Sequence, residues 1–564
     1  MEISSPEIKK TVPVPSANSS SLRPLWLVLI YLALFAYLHS FSEYGLNVWD
    51  EGGYANGTLR TLNGEKAMED FNPSGYLSGR YIYGGLFFKL FGVSIQSLRI
   101  GVTLITPGMI FMVYAISRRI MPPGFAFLAA VFMLSAPAMY YNRFFTFFCI
   151  LNLYLLVRCV EKVQSQRYLC LAGAILLSGF FKFEVALFSF LCSTVVFFVQ
   201  FLLKTKQEDS ARQEDQVFGM SRTKFWVSVG LLVLVLIFAL SFLLKKDFFN
   251  LAVDMVLGSY QVWGNPFPNL FPFFALWSEL GSHEMFQRLL FYIPVWVYTG
   301  VAFFLIIKII KENVIEVIDM HVLSILLIGI CAYGLVLWRT GFDNLLRTLP
   351  SAYILFCYIL YLTRGRLLSL LEVSTKGSGA LVVSRKTVVN VVTVFLPFLF
   401  FYEMNVNHGF YAGTIGAVKQ ETALLDMPRV KAYTNPAEAE WIEKIIDRIE
   451  KYSKAGDPIL ALPLNPIFYF LTDRINPTAY DWILPGMLNE KDEKKIIGQL
   501  QASPPKVIVF VDIPIDGKEE RRLGNYTPLI YSYLTKNYEF KEMIGMFQIL
   551  LPKSEDQENL GTQN

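Results

Sequence analysis

The chain predicts a polytopic α-helical membrane protein with about eleven transmembrane helices, followed by a carboxy-terminal extracytoplasmic α/β domain. Three observations carry this expectation. Of 564 residues, 54% are hydrophobic and 17% charged, a balance that water-soluble domains rarely show. Apolar stretches near the length needed to cross a hydrocarbon core recur along the first 400 positions. From Asn405 onward the pattern changes to short, interrupted apolar patches with 18 Lys+Arg against 22 Asp+Glu.

The apolar stretches run from Leu25 to Phe41, Leu98 to Ser117, Pro122 to Tyr140, Phe144 to Val157, Tyr168 to Phe181, Val185 to Leu203, Phe225 to Leu244, Leu289 to Ile307, His321 to Trp338, Pro350 to Thr363 and Val388 to Tyr402. Residues 1–23 are polar, rich in Ser and Pro, and lack the apolar core of a cleavable signal, so they are read as a cytoplasmic disordered tail. Basic residues gather beside alternate loops, among them Arg118, Arg119, Arg158, Lys162, Arg167, Lys308 and Lys311. The positive-inside rule puts those loops in the cytoplasm of a plasma (inner) membrane protein. The loops 42–97 and 245–288, and everything after the last span, are then external. The six cysteines all fall in apolar stretches without metal-ligand spacing and read as small buried hydrophobes.

Residues 24–404 form the membrane domain on this reading, and 405–564 a soluble α/β domain. Glu438 to Tyr452 carries Trp441, Ile445, Ile446 and Ile449 at helical spacing, whereas Pro458 to Leu462, Val507 to Val511 and Phe547 to Leu551 are β-type runs. Asp473, Arg474 and Asp481 of this region are candidates for substrate contact, although charged residues on such domains are more often simply solvated.

Chemistry is expected in the first external loop. Trp49-Asp50-Glu51-Gly52 follows the first span directly, so two carboxylates emerge at headgroup level; the alternative is that Asp50 caps the next helix. A stretch to Asn63 can form an amphipathic helix, and the aromatic segment Tyr76 to Phe91 suits the membrane interface. Arg80, Arg99, Arg143, Lys182 and Glu184 fall near the same face. Ionisable groups at that depth cost roughly 2.5–3.5 kcal/mol each on insertion scales and are usually paired or functional. A carboxylate base opposite cations that hold a phosphate is the hypothesis this placement suggests.

The order of WDEG after the first span, an aromatic segment ending FKLFG, SLRIG opening a span that ends in SRR, SAPAMYYNR closing the next, and then GFFKFE resembles the GT-C glycosyltransferases. Within them it is similar to the protein O-mannosyltransferase and lipid A aminoarabinose transferase superfamily over Leu25 to Phe201. The resemblance implies a GT-C transmembrane catalytic domain that moves a hexosyl or pentosyl group, with inversion, from a polyprenyl-phosphate donor to a lipid, glycan or protein acceptor on the extracytoplasmic face. It implies Asp50 as general base, Arg143 and Lys182 on the donor phosphate, and an arginine near the donor at the ninth span that either Arg339 or Arg347 could supply; Glu51, Tyr54, Arg80, Glu184 and Arg347 are read from their placement as further substrate-binding residues. An acid that many relatives carry shortly after the arginine of the second external loop is missing, since Arg143 is followed by Phe144, Phe145, Thr146, Phe147 and Phe148. No cofactor is required by this reading; a divalent cation bridging Asp50 and the donor phosphate is chemically sensible.

The loop 245–288, with Trp263, Asn265-Pro266-Phe267-Pro268 and His283, reads as a lid over the lipid-sugar site. Arg339, Asp343 and Arg347 flank the outer end of the ninth span. The alternative functions are a transporter or flippase of lipid-linked sugars, which would use intramembrane charges in paired broken helices, and a polysaccharide ligase or polymerase. Expected partners are the donor, the acceptor and membrane lipids, with no nucleic acid.

Overall fold

The structure, a computed structural model, describes residues 24–202 except 74 and 163, the short pairs 216–217 and 220–221, 282–336 except 313–314, 341–373, and 395–553 except 396 and 408–413. Among these, α1 (Pro24–His39), α4 (Ile95–Ser117), α5 (Pro123–Ser135), α6 (Arg143–Glu161), α7 (Ser165–Phe181), α8 (Phe183–Leu202), α9 (Ser282–Glu312), α10 (Val317–Gly334) and α12 (Pro350–Val373) make up the bundle. Each predicted span up to Thr363 falls on one of these helices, save Phe225 to Leu244, which lies outside the described residues together with loop 245–281 and most of Val388 to Tyr402. Five described helices are long and apolar enough to cross a bilayer, and Pro24–His39 and Pro123–Ser135 are shorter apolar helices. The bundle is therefore there, while the number eleven is not fixed by the described residues.

Local chemistry sets the boundaries. The Ser94 hydroxyl accepts from the Ser97 amide at 3.2 Å and opens α4, and Gly92, at φ 88, closes the preceding helix in a conformation that suits glycine. At the other end of the bundle, Glu316 and Asp319 form a capping box for α10, and Lys308 of α9 reaches Asp319 at 2.7 Å. Of the six cysteines, Cys170 departs from the expectation of burial: it faces outward from α7.

Two helices of the first loop lie between the bundle and the tail: α2 (Asp50–Leu62) and α3 (Ser78–Phe91). On α3, Ile82, Leu86 and Leu90 are exposed at a spacing of four, whereas Tyr81, Gly84 and Phe88 are buried on the other side. An apolar stripe turned outward is what an interfacial helix presents to lipid. Helix α2 is a poor helix by composition, since Gly52, Gly53 and Gly57 each cost about 1 kcal/mol relative to alanine.

The tail folds as an α/β unit. Strands β1 (Ala423–Met427) and β2 (Val430–Thr434) form an antiparallel hairpin, and a four-stranded sheet has the order β3 (Leu460–Leu462), β4 (Ile508–Val511), β6 (Phe547–Pro552), β5 (Tyr538–Ile544). Only β3 and β4 run parallel. Period-two alternation divides the sheet's two faces: Leu460, Leu462, Ile508 and Phe510 pack with Ile496 and Leu500 of α15 (Glu490–Ala502) and Ile530 and Leu534 of α16 (Pro528–Asn537). Ala461, Val509 and Ile549 turn the other way, towards α13 (Pro436–Tyr452) and α14 (Ile467–Thr472).

That second face is continuous with the membrane bundle, because one apolar cluster runs from Leu38 and Val102 through Phe88 and Phe470 to Ile549. Backbone hydrogen bonds cross the same seam, from Gly45 to the Tyr433 carbonyl at 2.7 Å, Ile95 to Arg429 at 2.9 Å and Asn72 to Ala479 at 2.7 Å. The Tyr44 and Tyr433 rings stack at 5.0 Å. The bundle and the tail unit are thus packed as one body at this seam.

Candidate active site

Asp50 begins α2, yet it does not cap it. The Asn47 side chain accepts from the Asp50 and Trp49 amides at 2.7 and 3.1 Å, so an asparagine supplies the acceptor usually sought at a helix start. The Asn47 amide group also reaches the Asp50 carboxylate at 3.4 Å. Asp50 remains half-buried, within electrostatic reach of the Tyr76 and Tyr141 phenols.

Glu51, its neighbour in sequence, turns inward. Its carboxylate receives Arg99 Nε at 2.8 Å and Nη2 at 2.6 Å in a two-pronged pair, and the Asn47 amide at 3.1 Å. Arg99 completes its set on the Ser42 and Gly45 carbonyls, each at 2.6 Å. With both side chains almost wholly buried, every strong donor and acceptor is matched, and the pair ties α2 to α4.

The other cations meet around Tyr76. Arg80 lies 4.0 Å above its ring and Lys182 Nζ 4.5 Å from it. The Tyr76 hydroxyl donates to Asn142 Oδ1 at 3.0 Å, and Arg347 Nη1 donates to the same oxygen at 3.0 Å. Burial pushes the Tyr76 phenol up to about 12, so it stays a neutral donor in the physiological range. Lys182 is paired with Glu184 at 3.1 Å and donates to the Gly75 carbonyl.

Arg80 is 3% exposed. It donates to the Tyr81 hydroxyl at 2.9 Å and is enclosed by the rings of Tyr54, Tyr76 and Tyr81. Among the described residues neither Arg80 nor Arg347 has a carboxylate partner, and the Nε of each is buried without an acceptor. Tyr141, next to Asn142, donates to Asp343 at 2.6 Å.

Arg143 is placed elsewhere. It is fully buried, donates to the Ala138 carbonyl at 3.1 Å and to Thr103 and Thr106 at 3.2 Å, and shares the Tyr140 ring with Arg99. The structure thus gathers Tyr54, Arg80, Lys182, Glu184 and Arg347 on the side of Asp50, and puts Glu51 and Arg143 among the contacts that hold the helices. Asn47, Tyr76 and Asn142 complete the site without having been singled out as site residues by sequence. Asn142 precedes Arg143 in the very motif read for its arginine, and an uncharged residue there gives no electrostatic signal.

Among the described residues no group of three or more His, Cys, Asp or Glu side chains gathers as a metal site would require. With Glu51 consumed by Arg99, Asp50 offers one carboxylate.

Residues 81–207 match the family described as dolichyl-phosphate-mannose-protein mannosyltransferase. The fold is similar to that of ArnT from Cupriavidus metallidurans in the apo state (14% identity, 93% of this chain and 98% of that chain, TM-score 0.50). It is also similar to the Archaeoglobus fulgidus oligosaccharyltransferase in the apo form (10% identity, 95% and 76%, TM-score 0.50). A structure of the Cupriavidus ArnT bound to undecaprenyl phosphate aligns at 13% identity over 94% and 98% of the two chains, with a TM-score of 0.47. No curated protein matches the chain by sequence. The chain is a helical bundle with five described helices long and apolar enough to cross a bilayer, and the family match is confined to residues 81–207. The match of this segment to the mannosyltransferase family and the likeness in fold to ArnT agree with the resemblance to GT-C glycosyltransferases read in the sequence.

Proposed function

We propose that the protein transfers a sugar from a polyprenyl-phosphate donor to a lipid, glycan or protein acceptor on the extracytoplasmic face of the plasma membrane. The observation that carries this reading is a set of cations, the buried Arg80 and Lys182 and the half-buried Arg347, gathered around Tyr76 on the side of Asp50, with Arg80 and Arg347 lacking a carboxylate among the described residues. A guanidinium held out of water without a counterion costs several kcal/mol, a cost that an incoming phosphate offsets. The matched family's description names a dolichyl-phosphate sugar, which is a ligand of that chemistry.

Asp50 takes the proton of the acceptor hydroxyl as its oxygen attacks the anomeric carbon. The bond from that carbon to the phosphate oxygen breaks, the electron pair stays on the phosphate, and the configuration inverts. Arg347 and Lys182 stabilise the leaving phosphate, where fixed positive charge acts on developing negative charge. Glu184 orients Lys182, while Tyr54 and Tyr76 hold Arg80 in place. Glu51 and Arg143 act at one remove: Glu51 fixes the first turn of α2, and Arg143 fixes the start of α6 beside Asn142.

The test is transfer in proteoliposomes supplied with candidate polyprenyl-phosphate sugars, read as release of polyprenyl phosphate. Release that depends on Asp50, Lys182 and Arg347 supports the reading. Accelerated lipid translocation without release would favour the flippase alternative.

A further inference from the structure

Helix α2 carries the proposed base but is poorly equipped to stand alone, since three of its thirteen residues are glycine. Each glycine is covered from outside the helix. A β-carbon on Gly52 would come within 2.7 Å of the Ile467 backbone nitrogen, one on Gly53 within 2.8 Å of the Trp482 ring, and one on Gly57 within 2.4 Å of the Tyr81 ring. Ile467 and Trp482 belong to the tail unit, so two of the three covers come from a segment more than 400 positions away.

Polar contacts fasten the same junction. Asp481, 5% exposed, accepts from Asn56 Nδ2 at 2.9 Å, from Arg60 Nη1 at 2.9 Å and from Asn476 Nδ2 at 2.9 Å. Asn56 and Arg60 lie one turn apart on α2, and Arg60 also reaches the Thr478 carbonyl at 3.3 Å. A buried carboxylate that binds two side chains of one helix fixes both its rotation and its advance along the axis.

We propose that Asp481 is a positioning residue for the reaction: the tail unit clamps α2 through it and thereby sets the place of Asp50. This rests on the reading of Asp50 as base. The clamp makes the tail unit part of the acceptor-activating machinery, and it acts chiefly on turnover, because Lys182 and Arg347 are held by elements other than α2 and Arg80 keeps its contacts with Tyr76 and Tyr81.

Hydrogen exchange on the full-length protein in detergent tests it directly. In Asp481→Ala, α2 amides between Tyr54 and Thr61 exchange at least about tenfold faster, the scale of a lost buried hydrogen bond, while amides of α13 and the four-stranded sheet keep their rates. Affinity for undecaprenyl phosphate changes less than about threefold, and turnover in the transfer assay falls at least about tenfold. Asn56→Ala, which removes a single contact, gives the same pattern in smaller measure and serves should Asp481→Ala fail to fold. Unchanged exchange in α2 overturns the clamp; faster exchange with full turnover overturns the positioning role. Full activity in Asp50→Asn would overturn the base assignment, whereas α2 exchange decides the clamp separately.

Discussion

Arg99 and Arg80 are buried to nearly the same degree, at 1% and 3% exposure, and differ in what surrounds them. Arg99 has a carboxylate on two of its nitrogens and carbonyls on the rest. Arg80 has a phenol and three ring faces. The adjacent acids differ in depth, since Glu51 is buried against Arg99 while Asp50 is half-buried beside Asn47. A closed pair spends its charge on holding helices together; an open cation keeps its charge for a ligand. Burial alone does not tell the two apart, but the inventory of partners does.

The contrast can be broken most easily at the acids. Asp50→Asn is expected to reduce sugar transfer by roughly 10²–10⁴-fold, the range of a lost general base, with the detergent melting temperature almost unchanged. Glu51→Ala should do the reverse in kind: stranding Arg99 costs about 3–5 kcal/mol, seen as a large fall in melting temperature, and Glu51→Ala with Arg99→Met recovers part of it. Equal melting temperatures for the two acid variants would erase the distinction.

Arg80→Met sharpens it further. Donor use should weaken by about 10–100-fold, on the scale of a hydrogen bond to a charged group, while stability stays level or rises because an unpaired buried charge is gone. A loss of stability as large as that of Glu51→Ala would show that Arg80 has a structural partner after all.

The smallest effect belongs to the tail. Glu421 faces Glu438 in place of a cation, and burial together with that like charge raises its carboxyl to about 7. A carboxyl whose value is raised by folding stabilises the fold while protonated, so stability should fall as pH rises from about 4.5 to about 7 and then level off. Glu421→Gln removes this slope, which thermal unfolding of the full-length protein at several pH values would detect.

Much of the scaffold was legible because its signals are local. Periodicity marked α13, apolar length marked most of the bundle, and the acidic start of α2 followed from its place after the first span. The site was legible only as a set of charges. Which charges are already spent depends on partners far away in the chain: Arg99 lies 48 positions from Glu51, and Asp481 lies 425 from Asn56. No window of sequence contains both members. Arg143 makes the same point, because its contacts include two threonines and a carbonyl that carry no charge to mark them in the sequence.

The seam between α2 and the loop around Asp481 also orders events during synthesis. A chain made from its amino terminus lays down Asp50 more than 400 positions before Asp481. Until the ribosome has passed Trp482, the helix bearing the acid lacks two of the covers over its glycines. On the proposed reading of Asp50 as base and Asp481 as its clamp, a product truncated before Asp481 would fail to transfer sugar.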